Sequence, residues 1–270
     1  MTLTISTVLE LKKSPETFKL HLACWNQKDH PLDVFVRDPV AWDGWNAWRG
    51  NRDDFSRPSI LSFMEFYHEP DTWLFGGIYD VLAREVPRYK IRRQPETEPL
   101  IGRLKVRLKR PGRAKAFLLE KYIGDIHVSE LLRERYSGRA FPGYEHVSHP
   151  FHELEAIIRN SRPDWKAALE NVKGVYLVVD TSNGKRYVGS AYGDTGLWSR
   201  WSCYISTGHG WNDELTTIIS RHGIDYARQH FRFVLLEHRP MTVEDRAIIA
   251  REVFWKESLL SRVPFGYNKN

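Results

Sequence analysis

The stretch GVYLVVDTSNGKRYVGS, residues 174–190, contains two triplets that are close to mirror images, Gly174-Val175-Tyr176 and Tyr187-Val188-Gly189. The residues after the first triplet are apolar and largely β-branched, which favours a β-strand. Asn183-Gly184 then follows, and Asn-Gly between apolar runs is the strongest short signal for a β-hairpin. The stretch is therefore predicted to form two antiparallel strands that hold the two tyrosines side by side.

Two further triplets repeat this pattern with isoleucine, Gly77-Ile78-Tyr79 and Tyr122-Ile123-Gly124. Between them lie 42 residues, whereas hairpin strands are joined by short loops. These two triplets cannot share one hairpin, so spacing favours the pair at 174–190.

Beyond the hairpin, hydrophobic periodicity predicts two helices, then a strand, then a longer helix. Thr242 is a candidate N-cap for the last of them. The C-terminal part is thus expected to have the order β-β-α-α-β-α, an α+β arrangement. The four predicted elements cover residues 198–206, 213–221, 230–238 and 242–260.

This order of residues resembles the GIY-YIG nuclease family, over about Lys173 to Asn270. The resemblance implies a small α/β sandwich in which a three-stranded antiparallel sheet is flanked by helices. Relatives carry an arginine and then an aromatic on the first helix, and here a few extra residues precede that pair, so Arg221 is the alternative to Arg200. The resemblance assigns catalytic roles to Tyr176, Tyr187, Lys185, Arg200, Tyr204 and Asn268, and metal binding to Glu252.

These residue types suit phosphodiester hydrolysis, which needs an activated water and stabilisation of the negative phosphoryl oxygens. A single carboxylate, Glu252, can hold Mg²⁺ or Mn²⁺ with waters in the remaining positions. Arg200 can donate to phosphate oxygens. A free tyrosine has a pKa of about 10, and we expect Lys185, Arg200 and the metal to favour the phenolate form.

The N-terminal half has a strongly basic segment, residues 88–115, with eleven Lys and Arg but two acids, Glu96 and Glu98. Within it GRLKVRLKR alternates between cations and apolar residues, which predicts a strand with one basic face. A basic face favours a nucleic acid as partner, although an ordinary solvated strand or a charged sheet edge has the same pattern. The predicted DNA-binding residues are Arg103, Lys105, Arg107 and Lys109.

Aromatic residues are dense in the same half, and the chain has ten Trp in total. Most large aromatics belong to a core, but some can form the walls of a pocket that accepts an extruded base. The region is weakly similar to small PUA-like barrels that recognise nucleic acids. The candidate base-pocket residues are Trp42, Trp45, Tyr67 and Trp73.

Short strand-like runs such as HLACW and LDVFVRD predict an N-terminal β-rich, barrel-like domain. Breaks around Asn160-Ser161-Arg162-Pro163 favour a boundary region before the nuclease domain. The predicted division is therefore a β-rich DNA-recognition domain at 1–150, a linker with short helices at 151–172, and a GIY-YIG domain at 173–270. The predicted fold class is α+β.

The sequence thus predicts a metal-dependent DNA endonuclease of the restriction or phage-defence type, with target recognition that can depend on a modified base. Double-stranded DNA is the expected partner, and two copies are expected to make two cuts, as a homodimer. Alternatives are a restriction nuclease for unmodified DNA, a repair or homing nuclease on branched DNA, and a DNA-binding protein without catalysis. With two cysteines, no apolar run long enough for a membrane span and no signal-peptide pattern, we expect a cytoplasmic protein.

Overall fold

The chain divides between Tyr136 and Ser137 into two units. The structure is a computed structural model that describes residues 3–9, 11 and 14–269. The boundary lies earlier in the chain than the predicted boundary at residue 150, which is a correction to the sequence analysis. Secondary structure in both units is mixed α and β.

The N-terminal unit is built on a sheet with the strand order β6-β1-β2-β3-β5-β7, and β4 also pairs with β3. Its helices are α1 (Ile5–Val8), α2 (Pro31–Arg37) and α3 (Pro39–Ala47). Short 3-10 helices cover Pro15–Thr17, Pro95–Leu100, Leu119–Lys121 and Ile123–Asp125. Its strands are β1 (Phe18–Ala23), β2 (Ser59–Glu65), β3 (Thr72–Arg84), β4 (Tyr89–Arg93), β5 (Leu104–Arg107), β6 (Ala116–Leu118) and β7 (His127–Leu131).

This sheet is mixed rather than a closed antiparallel barrel. Strands β1 and β2 run parallel, and the other pairings of the sheet are antiparallel. Strands β6 and β7 end the pairing path among the described residues. The predicted barrel-like domain is therefore corrected to a mixed sheet with helices.

The run LDVFVRD forms helix α2, although its β-branched residues predicted a strand. Parallel strands need a long crossover connection, which is usually helical, and α2 and α3 lie in the connection from β1 to β2. Pro31 occupies the first turn of α2, where a missing N–H costs nothing. Asp38 caps α3 by accepting from the backbone amides of Val40 and Ala41. Long-range topology overrides the local strand propensity here.

The C-terminal unit contains a four-stranded antiparallel sheet with the order β10-β9-β11-β8. The sequence predicted three strands, and the additional one is the short β8 at its edge. A 3-10 helix covers Tyr144–His146. The strands are β8 (Ser148–Pro150), β9 (Val172–Asp180), β10 (Arg186–Ala191) and β11 (Phe231–Pro240). The helices are α4 (Phe151–Arg159), α5 (Pro163–Leu169), α6 (Gly196–Thr207), α7 (Asp213–His222), α8 (Ile224–His230) and α9 (Asp245–Ser258).

Residues 151–172 are not a linker. Phe151, Leu154, Trp165 and Leu169 are each 0% exposed and belong to the same apolar core as β9, α6 and β11. An amphipathic helix is stabilised mainly by burial of its apolar face, so α4 and α5 are integral to the C-terminal unit.

The turn of the β9–β10 hairpin is held by Asp180, the last residue of β9. Its carboxylate accepts from the Ser182 amide at 3.0 Å and from the Asn183 side chain at 3.0 Å. It also accepts from the hydroxyls of Tyr226 at 2.8 Å and Tyr267 at 2.7 Å. The predicted hairpin is therefore present, with its turn anchored to α8 and to the C-terminal segment.

The two isoleucine triplets lie apart in the N-terminal unit, as their spacing predicts. Gly77-Ile78-Tyr79 is in β3 and pairs with β2, whereas residues 123–125 form a 3-10 helix. Across the described parts of the chain, no helix combines the length and the hydropathy required to cross a membrane.

Candidate active site

The hairpin places Tyr176 of β9 directly opposite Gly189 of β10. A Cβ at Gly189 would lie 2.5 Å from the Tyr176 hydroxyl and 2.8 Å from a ring carbon of Tyr187. The glycine of the second triplet therefore leaves space for both tyrosine rings. The glycine of the first triplet, Gly174, lets β11 approach, because a Cβ there would lie 2.3 Å from the Glu237 carbonyl oxygen.

Helix α6 brings Arg200 and Tyr204 to this hairpin from consecutive turns, since residues four apart share a helix face. The Nε atom of Arg200 donates to the Tyr176 hydroxyl at 2.9 Å. That hydroxyl donates to the Tyr204 hydroxyl at 3.2 Å, which also accepts from Asn212 at 2.6 Å. The guanidinium carbon of Arg200 lies 5.0 Å from the centre of the Tyr204 ring. The result is a buried hydrogen-bonded cluster.

Tyr187 and Glu252 lie on the border between two depressions in the surface of the C-terminal unit, because both residues line both of them. The first depression, of about 460 Å³, also contains Arg200 in its lining. The second, of about 380 Å³, is lined among others by Trp211 and Lys256. A groove of this kind can hold an extended nucleic-acid strand with one phosphate at the border between the two depressions.

Two side chains hold the Glu252 carboxylate. Lys256, one turn later on α9, places its Nζ 2.7 Å from one carboxylate oxygen. The Ser190 hydroxyl, from β10, donates to the other oxygen. These contacts orient the carboxylate toward the groove.

The residues present fit one hard divalent cation held by Glu252 and by a substrate. Mg²⁺ commonly uses one or two carboxylates, substrate phosphates and waters rather than a full protein cage. Within residues 3–9, 11 and 14–269, no group of three or more His, Cys, Asp or Glu side chains could hold a metal. A single carboxylate in a groove agrees with a cation held by one protein ligand, substrate phosphates and waters.

Burial decides the protonation of the tyrosines. It raises the pKa of Tyr176, although Arg200 acts in the opposite direction. Burial likewise raises the pKa of Tyr187 and of Tyr204 above the ordinary tyrosine value. Burial opposes the charge of Arg200, but the surrounding phenol oxygens outweigh it and raise its pKa. Among the protein groups alone, burial thus outweighs Arg200 and favours neutral phenols beside a permanent cation.

Asn268 lines the second depression, whereas Lys185 lies outside both, and each of these two side chains has other contacts. The ammonium of Lys185 lies over the Tyr267 ring, 5.6 Å from its centre, and Lys185 lines neither depression. The Asn268 side chain accepts from the amide of Val188 at 2.9 Å and donates to its carbonyl oxygen at 2.8 Å. Asn268 thus extends the pairing of β10 and positions that strand.

Four residues at this site were not identified from the sequence. Lys256 could have been found from its spacing of four from Glu252 on a helix. Ser190 directly follows the second triplet, and strand alternation gives it the face opposite Gly189. Asn212 and the 74% exposed Trp211 come from the loop after α6, and their positions depend on tertiary folding.

The predicted basic row in the N-terminal unit is corrected. Lys105 is 5% exposed, with its Nζ 2.5 Å from a Glu69 oxygen and 2.9 Å from a Glu130 oxygen. Arg103 is half-buried and donates to the carbonyl oxygens of Leu132 and Pro99. Arg107 and Lys109 are exposed. A buried charge is stabilised only by partners, and Glu130 on β7 and Glu69 in the loop between β2 and β3 supply them. Two of the four cations, Arg107 and Lys109, remain as a solvent-facing pair.

The predicted base pocket is corrected as well. Trp42 and Trp73 are core residues, 0% and 3% exposed, and each indole N–H donates to a backbone carbonyl. Tyr67 donates to Asp33 at 2.7 Å and packs against neighbouring histidine rings. Trp45 lines a cavity of the N-terminal unit together with Trp25 and Trp48.

No protein-family model and no curated protein matches the chain. A solved structure of the catalytic domain of homing endonuclease I-TevI is 33% identical to it, covering 36% of this chain and 98% of that chain, with a TM-score of 0.28. The catalytic domain of intron endonuclease I-TevI with a glutamate-to-alanine substitution is 30% identical, covering 37% of this chain and 94% of that chain, with a TM-score of 0.29. Because this identity extends over nearly the whole of a GIY-YIG catalytic domain, the chain belongs to the GIY-YIG nuclease family.

Proposed function

We propose that this chain is a divalent-metal-dependent DNA endonuclease that hydrolyses a phosphodiester bond in the groove of its C-terminal unit. The observation that carries the proposal is the groove border, where a held carboxylate, Glu252, and a phenol, Tyr187, meet beside the guanidinium of Arg200. A phosphate bound there has a cation on one side, a hydrogen-bond donor on another and a metal ligand within the same groove.

Arg200 binds the phosphate that is cut. Its Nε is used by Tyr176, so its terminal Nη groups are the donors left for phosphate oxygens. Negative charge grows on those oxygens as the nucleophile attacks, and a fixed guanidinium in a partly buried site stabilises it more than water would. Tyr176 and Tyr204 are positioning residues, because they act by holding Arg200.

Tyr187 acts on the attacking water. Because burial raises its pKa, its hydroxyl is a neutral group that accepts a hydrogen bond from the water and donates one to a phosphate oxygen. A neutral phenol orients water better than it removes a proton. The cation held by Glu252, when bound, supplies positive charge to the phosphoryl oxygens and to the leaving oxygen.

For the biological role, we propose a restriction or phage-defence enzyme on double-stranded DNA, working as a homodimer when both strands are cut. Recognition of a modified base is part of this proposal. A homing or repair nuclease is the second candidate, and it is favoured by the matched solved structures, which are described as homing and intron endonucleases.

The test is cleavage of supercoiled plasmid with Mg²⁺ or Mn²⁺ by the wild-type chain and by Glu252→Gln. Loss of the metal-binding carboxylate is expected to lower the cleavage rate at least about a hundredfold, and a chelator is expected to stop the wild type. Glu257→Gln, on the exposed side of the same helix, is the matched control and is expected to cut normally. Metal-dependent cutting by Glu252→Gln would contradict the assignment, and a wild type that cuts no DNA would favour a binding protein.

The target is tested with plasmids that differ only in cytosine or adenine modification, beside branched DNA of the same sequence. Preferential cutting of one modified plasmid is expected. Equal cutting of all plasmids contradicts dependence on a modified base, and preference for the branched substrate favours the repair candidate.

A further inference from the structure

A cavity of about 980 Å³ opens in the N-terminal unit beside β1 and the end of α3, and three tryptophans, Trp25, Trp45 and Trp48, line it. Trp25 and Trp48 are 55% and 53% exposed, although large aromatic side chains usually bury most of their area. The volume is within the range of about 300–1,000 Å³ that small-ligand sites have. Exposed indole faces around such a cavity offer stacking surfaces for a flat aromatic ligand.

The same cavity is lined by Arg88, Arg110, Arg113 and Lys115, all from the basic segment 88–115. Lys115 forms an ion pair with Asp54, with an N–O distance of 3.1 Å. Of the carboxylates that the structure describes, none lies within ion-pair distance of the three arginines. Their charge is available for an anion, and arginine is well suited to phosphate.

His21 adds a hydrogen-bonding group with a defined tautomer. Asn46 donates through Nδ2 to the Trp42 carbonyl at 3.0 Å, so its Oδ1 accepts from Nδ1 of His21 at 2.9 Å. Burial lowers the pKa of His21 to about 4, so the ring is neutral near pH 7. With its proton on Nδ1, the ring has Nε2 as an acceptor, and His21, which is 2% exposed, is among the residues that line the cavity.

We propose that this cavity binds one nucleotide extruded from a DNA duplex, with its base against the tryptophans and its phosphates at the arginines. A nucleotide combines a flat aromatic base with an anion, which matches the two kinds of side chain present. The acceptor of His21 can take a hydrogen bond from a base amino group. The inference rests on the proposed function for DNA as the partner, and it adds where a target base is recognised.

The test uses short labelled duplexes, because extrusion costs least at a mismatched base. Fluorescence anisotropy in EDTA, where cutting is prevented, compares a fully paired duplex with duplexes that carry one mismatched nucleotide. That nucleotide is in turn each of the four bases, 5-methylcytosine and N6-methyladenine. The wild type is expected to bind at least one mismatched duplex about tenfold more tightly than the paired duplex, from stacking of a single base.

Two variants remove exposed side chains that line the cavity. Trp48→Ala and the double variant Arg110→Ala with Arg113→Ala are expected to bind paired and mismatched duplexes equally. The matched control is Arg107→Ala with Lys109→Ala, which removes the same charge outside the cavity. This control is expected to weaken the binding of paired and mismatched duplexes alike and to keep the preference for the mismatched duplex.

The outcomes separate the two proposals. Equal binding of all duplexes by the wild type, or an unchanged preference in Trp48→Ala, overturns the cavity site even if the wild type cuts DNA. A preference that Trp48→Ala abolishes supports the site even if no DNA is cut, in which case the nuclease proposal fails alone.

Discussion

The assignment of the arginine at the site, Arg200, needed the structure as well as the sequence. Motif spacing left Arg221 as an alternative, because a longer connection precedes the first helix. The structure places Arg221 exposed near the end of α7, whereas Arg200 donates to Tyr176 and lines the groove. A guanidinium that is bound on one side by protein and open on the other is preorganised for a phosphate.

We predict that Arg200→Lys, which keeps the charge, lowers the cleavage rate by roughly a hundredfold or more. The planar guanidinium of arginine can donate to Tyr176 and to a phosphate at the same time, whereas the ammonium of lysine lacks this fixed set of donors. Plasmid cleavage under single-turnover conditions measures the effect, and Arg221→Lys is the matched control with an expected rate near that of the wild type. If both variants cut equally well, Arg200 has no role that requires a guanidinium.

The β9–β10 hairpin is the element on which the site depends, because it sets two tyrosines beside α6 and supplies Ser190 to Glu252. Both glycines of its triplets are closely packed, and Gly189 is the one that lies against the tyrosine rings. The glycine of the other YIG triplet, Gly124, has no atom within 4 Å of the position where a Cβ would stand. The two triplets therefore differ in packing as well as in spacing.

We predict that Gly189→Ala lowers the free energy of unfolding by about 1–3 kcal/mol, as overpacking does, and reduces cleavage because Tyr176 and Tyr187 must move. Gly124→Ala is expected to change stability by less than about 0.5 kcal/mol. Urea unfolding and plasmid cleavage measure both variants. Comparable effects of the two substitutions would contradict the close contact at Gly189.

At the scale of the whole molecule, the division at Tyr136–Ser137 determines which segment can fold alone. The core of the C-terminal unit includes Phe151, Leu154 and Trp165, which precede the hairpin. Removing them leaves the remaining core with large voids. Each large buried side chain that is lost lowers the free energy of unfolding by several kcal/mol.

We predict that a fragment of residues 137–270 folds cooperatively, whereas a fragment of residues 173–270, which begins at the boundary expected from the sequence, does not. Circular dichroism during thermal unfolding distinguishes them: a sharp transition is expected for the longer fragment and none for the shorter one. A sharp transition in the shorter fragment would show that α4 and α5 are dispensable.

The sequence by itself determined what depends on neighbouring residues. The Asn-Gly turn and the apolar runs around it predict the hairpin, and the order of chemical groups along the last hundred or so residues points to the nuclease family. Only the tertiary structure decided what depends on distant residues. Lys105 can be buried because Glu69, from the loop between β2 and β3, and Glu130, from β7, form ion pairs with it. Residues 31–37 are helical because β1 and β2 are parallel. Whether a tryptophan belongs to the core, as Trp42 does, or faces a cavity, as Trp48 does, also depends on contacts far apart in the chain, and local propensity carries no information about them.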